Sequence, residues 1–190
     1  MTPVARPHAY PTLPAGDRIV IASSSVYATD VDEATVIAIT TDAVAGTSTL
    51  TLDAALKYTH LGVVLSNFPG DDRGHVLDMR AEVAVLSRSV VVEGDPTSAQ
   101  YQLGATVMIN TPSGRPRAGI LFEQAEFRQM GQAFALGRYA IHWHMQGRLG
   151  YKQYIRGCAV HNSYNRATTV HGTHEAIVEH NVAYDIMGHT

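Results

Sequence analysis

Three stretches in the second half of this 190-residue chain lie over one another: FEQAEFRQMG (122–131), IRGCAVHNSYN (155–165) and VEHNVAYDIMG (178–188). Between them, RYAIHWH (138–144) and RATTVHGTH (166–174) also overlay, setting Ile141-His142 against Val170-His171. Equivalent positions are 33, 23 and 29 residues apart. A unit of this size cannot bury its apolar side alone and must stack on its neighbours. It matches one coil of a parallel β-helix, with two or three short strands per coil and Val, Ile, Ala or Cys facing inward. Asn162 and Asn181 suit the corners, because amide side chains satisfy turn backbone groups. The expected fold class is therefore all-β, a parallel β-helix (solenoid) with irregular loops.

The first half carries strands without the repeat. DRIVIAS (17–23), TVIAIT (35–40), STLTLDAAL (48–56), EVAVLSRSVVVEGD (82–95) and AGILFEQAEFRQM (118–130) read as short strands punctuated by Gly, Pro, Asp and Asn. LPAGD (13–17) reads as a turn. Residues 28–38 have a weak helical character that the alternation of 35–40 opposes. Pro96, Pro112 and Pro116 mark an excursion over about 96–117. This gives a β-rich part and entry to the β-helix over 1–117, then coils over 118–190. VAYDIMGHT ends on an unclosed pattern, so a segment of a longer protein is expected. A β-sandwich would want hairpin turns such as Asn-Gly, which are absent. A cupin-like jelly roll also carries His-x-His on a strand, but the repeat of 155–165 at 178–188 favours coils.

Charged residues make up 16% of the chain and the net charge is −3, which leaves no electrostatic footprint for nucleic acid. No apolar run is long enough to span a membrane, and the first ten residues contain no signal-peptide apolar region. The lone Cys158 forbids an internal disulfide and reads as a small buried residue.

The chemistry concentrates in GRYAIHWHMQGRLGY (137–151). On a strand, Ile141, Trp143 and Met145 share one face and His142 and His144 the other. Stacking would bring His171 onto the same outer wall, about 4.8 Å per coil. Clustered imidazoles suit a divalent transition metal, or a proton moving near neutral pH. A groove there would also hold Arg138, Tyr139 and a carboxylate such as Asp185; the alternative is a solvated face rich in histidine. Glycoside hydrolysis wants two carboxylates about 5 to 10 Å apart. Asp78, Glu82, Glu123, Glu126, Glu175, Glu179 and Asp185 are available, and the sequence does not pair them. Asp78, Arg80 and Glu82 would share one strand face as a salt-bridged ladder. Phosphate-binding loops, nucleophile elbows and Cys-x-x-Cys are absent.

DRIVIASS, TLTLDAALKYTHLG, DMRAEVAVLSRSVVVEGD, GRYAIHWHMQG and the long YIRGCAVHNSYNRATTVHGTHEAIVEHNVAYDIMGH resemble one family in order. It is the β-helix region shared by the cell-migration-inducing hyaluronan-binding protein, the cell-surface transmembrane hyaluronidase and the fibrocystin-like proteins. The family often has proline where Ala140 stands and phenylalanine where Trp143 stands. The resemblance implies a right-handed parallel β-helix, outside the cell or on its surface, engaging a hyaluronan-like polysaccharide. It also implies a divalent ion, calcium or zinc, for members that depolymerise hyaluronan. His142, His144, His171 and Asp185 match family motif positions. The resemblance assigns none of them a catalytic role; the outward alignment of the histidines makes His142 and His144 candidate bases or, with His171, metal ligands. Asp185 or Glu82 is a candidate general acid, and Arg138, Arg166 and His171 are candidate substrate contacts. The fibrocystin-like members imply the alternative, a structural or adhesive segment without catalysis.

Overall fold

The structure is a computed structural model that describes residues 15–66, 68–112 and 118–190. Leu13 and Pro14 of the expected 13–17 turn, and 113–117 of the expected excursion, lie outside the described residues. The chain forms two compact units, Met1–Val85 and Leu86–Thr190.

The first unit is antiparallel. β1 (Arg18–Ile21) sits between β2 (Asp32–Asp42) and β6 (Val83–Val85), and β3 (Thr47–Leu52) extends the sheet beside β2. β4 (Val64–Ser66) and β5 (Val76–Asp78) form a separate pair. The residues 28–38 are thus strand where they are regular. The β2–β3 connection closes because the Asp42 carboxylate accepts the N–H groups of Val44 and Ala45, an Asx turn. Ile19, Ile21 and Val36 are buried together beneath this sheet.

The second unit is built from parallel ladders. β7 (Val90–Glu93), β10 (Ala125–Arg128), β12 (Ala159–Ser163) and β14 (Val182–Ile186) form one sheet. β11 (Ile141–Arg156) and β13 (Thr168–Glu179) pair in a ladder whose register breaks after His144 and again after Arg148. Its first run, 141–144 on 168–171, also takes β8 (Val107–Ile109), and its last run takes β9 (Leu121–Glu123). From β8 onward the chain visits first run, last run and the other sheet in that order, three times. Phe122, Ile155 and Val178 are cross-strand partners, as the overlay expects. Among the described residues the one helix is α1 (Ser98–Tyr101). The chain is all-β.

Both sheets supply the core. Ile141 and Trp143 come from the first run, Ile155 from the last, and Ala125, Phe127 and Val160 from the other sheet. Each large apolar side chain buried here contributes about 1.5–3 kcal/mol. Polar atoms inside are matched: Gln153, fully buried, accepts the Trp143 indole N–H and the Ile120 N–H and donates to the Ala118 carbonyl. At one corner the Asn181 amide accepts from Cys158 N–H and donates to the Ile155 carbonyl, the role its residue type predicts. Cys158 is fully buried and burial pushes its thiol up. Maleimide or iodoacetamide should leave it unmodified in the native protein and modify it fully in denaturant. Fast native labelling would show that this core opens.

Two expectations need correction. The run 82–95 is two strands, β6 and β7, in different units. Between them Arg88 turns away to give its backbone N–H to Glu126 and its Nε–H to the Gly157 carbonyl. The excursion at 96–117 carries α1 and β8, so the parallel ladders begin before residue 118.

Candidate functional site

Parallel pairing sets His142 beside Thr169 and His144 beside His171. Directly paired residues in a parallel ladder point to the same face, so these four side chains form a patch on the wall opposite Trp143. The sequence overlay had matched His171 with His142; the register is two residues different, because the corner after β12 is shorter than the one after β10. The result is a tighter group. His144 and His171 bring their Nδ1 atoms to 3.2 Å, and ring centroids lie 5.1 Å (His142–His144), 6.1 Å (His142–His171) and 5.2 Å (His144–His171) apart. One ligand nitrogen from each falls within 4.8 Å of the others.

The expected outer face is not uniformly solvated. His144 is half-buried and His171 exposed, but His142 is only 2% exposed. The chain 131–139 folds over it: the Tyr139 ring packs 4.8 Å away and the Gly137 carbonyl lies 3.0 Å from His142 Nδ1. Gly137 has φ +82°, a left-handed conformation that glycine adopts without strain. A Cβ there would meet nothing nearer than the Met108 methyl at 3.9 Å, so a side chain would be opposed by the backbone and not by space. Met145, read as a core neighbour of Trp143, is exposed instead. It sits at the corner with φ +53°, where the strand alternation ends.

Burial depresses the His142 pKa, and the nearby His144, His171 and Arg166 depress it further; the Gly137 hydrogen bond works against them. A neutral imidazole donating Nδ1–H to Gly137 has its lone pair on Nε2. That Nε2 is buried and has no hydrogen-bond partner among the described residues, and neither has the buried Thr169 hydroxyl beside it in the register. Buried polar atoms without partners are uncommon and need an explanation. A metal ion supplies one. Metal-bound histidines characteristically give their other N–H to a carbonyl, and ligand nitrogens about 2.0–2.1 Å from zinc lie roughly 3.3 Å apart. Three imidazoles fit a zinc-class ion; calcium takes six to eight oxygens, so this donor set does not suit it.

Gln146 was missed by the sequence reading. Buried just past the corner, it donates to the carbonyls of Ile109 and His144 and accepts from the Thr111 hydroxyl, so it fixes the His144 backbone. No periodicity marks it; only its place after Met145 does.

The other predicted residues fall elsewhere. Arg166 is half-buried, its guanidinium 4.9 Å over the Tyr139 ring, so it is one ring away from His142. Arg138 is exposed on the same overlying loop. Asp185 is exposed, has φ +51°, and accepts from Asn162 Nδ2 at 2.7 Å. It lines a depression of about 500 Å³ with Gln129, Asn162 and Tyr164. Burial and the Asp185 charge raise the Tyr164 hydroxyl pKa. Glu82 is exposed in the first unit, and its carbonyl receives Ala22 N–H. Asp78 and Arg80 do pair, and the Arg80 guanidinium holds the Asp78 carboxyl at about 2. Only Asp78 lies in a strand, the end of β5; Arg80 and Glu82 fall between β5 and β6, so the expected one-face ladder of the three does not form. Several other carboxylates are committed to arginines: Glu93 to Arg128, Glu175 to Arg148 and Glu179 to Arg156.

Residues 102–190, which carry all three histidines, match the CEMIP beta-helix family. Fibrocystin-L of Mus musculus is 34% identical over 93% of this chain and 5% of its own length. A G8 domain-containing protein of Dictyostelium discoideum is 37% identical over 59% of this chain and 9% of its own. The human cell surface hyaluronidase CEMIP2 is 27% identical over 70% of this chain and 10% of its own. The chain thus spans a small part of each of these relatives. Residues 102–190 of this protein belong to the CEMIP beta-helix family, and the chain is a homologue of fibrocystin-L and of CEMIP2.

Proposed function

We propose that this chain is a segment of a right-handed parallel β-helix that binds an acidic, hyaluronan-like polysaccharide at the cell surface or outside the cell. His142, His144 and His171 would hold a zinc-class ion at its centre. The observation that carries this reading is the buried Nε2 of His142, without a partner among the described residues and close to two further imidazoles. The recurring order of three parallel runs supports the solenoid, and the right hand follows from the strong preference of parallel crossovers. The name of the CEMIP2 relative supports the substrate class and the location. Among the described residues no helix is long and apolar enough to cross a membrane. A bound ion would supply Lewis-acid polarisation of a sugar oxygen. The chain's own residues orient His142 through Gly137, fix His144 through Gln146 and cover His142 with the Tyr139 ring.

A binding or adhesive role without cleavage has its own support. The match to fibrocystin-L is longer and higher than that to CEMIP2. In addition, neither proposed general acid, Asp185 or Glu82, stands with the imidazoles in the one metal-competent cluster found among the described residues. Size-defined hyaluronan incubated with the chain and zinc separates the two. Cleavage that disappears in His142→Ala and His144→Ala supports catalysis; binding without shortening supports adhesion. Absence of binding rejects both.

A further inference from the structure

Beside the histidines lies a second depression of about 330 Å³, walled by Phe134, Leu136, Tyr139, Tyr164 and Arg166. Its rim is unusual. Phe134 is 98% exposed and Leu136 90%, and Phe134 holds φ +58°, a conformation costly for a bulky residue. The loop bearing them is nevertheless tied down. Asn165 Nδ2 donates to the carbonyls of Gln132 and Ala135, Ala133 N–H donates to Gln102, and Gln132 N–H to Arg138. Two large apolar side chains are thus held out into solvent by a loop that is not free to fold them away.

The floor supplies the complementary chemistry. Arg166 has no ion-pair partner among the described residues. Its Cζ sits 4.9 Å from the Tyr139 ring centroid, a cation–π contact that uses none of its N–H groups as hydrogen-bond donors. A planar fork of this kind matches a carboxylate bidentately. An aromatic wall, an apolar rim and a guanidinium without an ion-pair partner among the described residues together suit a pyranose ring bearing a carboxylate.

We propose that this depression is a hexuronate subsite: the sugar ring packs on Phe134 and its carboxylate pairs with the Arg166 guanidinium. The inference rests on the polysaccharide reading and gives it a direction, since Tyr139 touches both Arg166 and His142.

Calorimetric titration of the whole chain with a hyaluronan oligosaccharide of defined length, and with the same oligosaccharide after carboxyl reduction, tests it. The wild type should bind the native form about 10-fold more tightly, as one charge-assisted pair requires. Arg166→Gln should lose that difference while still binding the reduced form as the wild type does. Arg166→Lys, which keeps the charge without the fork, should keep a smaller difference. Phe134→Asn suits the left-handed backbone and should weaken both forms alike, by about 5-fold. Undiminished discrimination in Arg166→Gln, or unchanged affinity in Phe134→Asn, overturns the subsite and leaves the polysaccharide reading standing. If neither form binds the wild type, both readings fall.

Discussion

Trp143→Ala should abolish cooperative folding of the second unit. The indole is fully buried between the histidine wall and the core, and its N–H is held by Gln153 at 2.9 Å. Truncating a buried tryptophan costs about 3–5 kcal/mol, and the lost hydrogen bond adds roughly 1 kcal/mol. Total stabilities of about 5–15 kcal/mol leave little after that loss. Trp143→Phe keeps most of the packing, loses only the N–H, and should remain folded with a Tm lower by several degrees. Far-UV circular dichroism and amide exchange across β11 and β12 report the outcome. Native-like protection of β12 in the alanine variant would mean that the stacked core does not depend on this side chain.

His142→Ala should remove zinc binding by this chain, weakening it at least 100-fold. Even groups that only support a ligand alter metal affinity 10- to 100-fold, and here one of three direct donors is lost. Zinc at 100 times its Kd stabilises the native state by about 2.7 kcal/mol, so the wild type should gain several degrees in Tm with zinc. Calcium should give no such gain. His171→Ala should behave like His142→Ala. Gly137→Ala should weaken zinc less, because it disturbs only the carbonyl that orients His142. A zinc shift that survives in His142→Ala would show that the ion sits elsewhere, and would detach the orphaned Nε2 from metal binding.

The sequence exposed the fold unevenly. The overlay of 122–131, 155–165 and 178–188 was legible because inward residues must recur once per coil. Its partners Phe122, Ile155 and Val178 do stand in register. The alignment of His171 was off by two, because corner lengths vary and nothing local fixes them. Only the hydrogen-bonded ladder sets His171 beside His144. β8 was hidden, since three residues between Gly104 and Pro112 show no periodicity. The histidines were picked out as a group, yet the burial of His142 was not, because only the tertiary fold lays Gly137 and Tyr139 against it.

By itself the sequence determined that strands would stack, that Trp143 and the histidines would take opposite faces, and that Cys158 and the corner Asn181 would be structural. These follow from side-chain alternation and from residue chemistry, both local properties. Asn162, expected at a corner too, lies within β12 and bonds Asp185 and His161. Tertiary structure alone decided which imidazoles meet, that one of them is buried with a nitrogen unpaired among the described residues, and that Arg166 lies one ring away. Those facts depend on how coils of unequal length come into register and on which loop crosses the wall, and no short window of sequence carries that information.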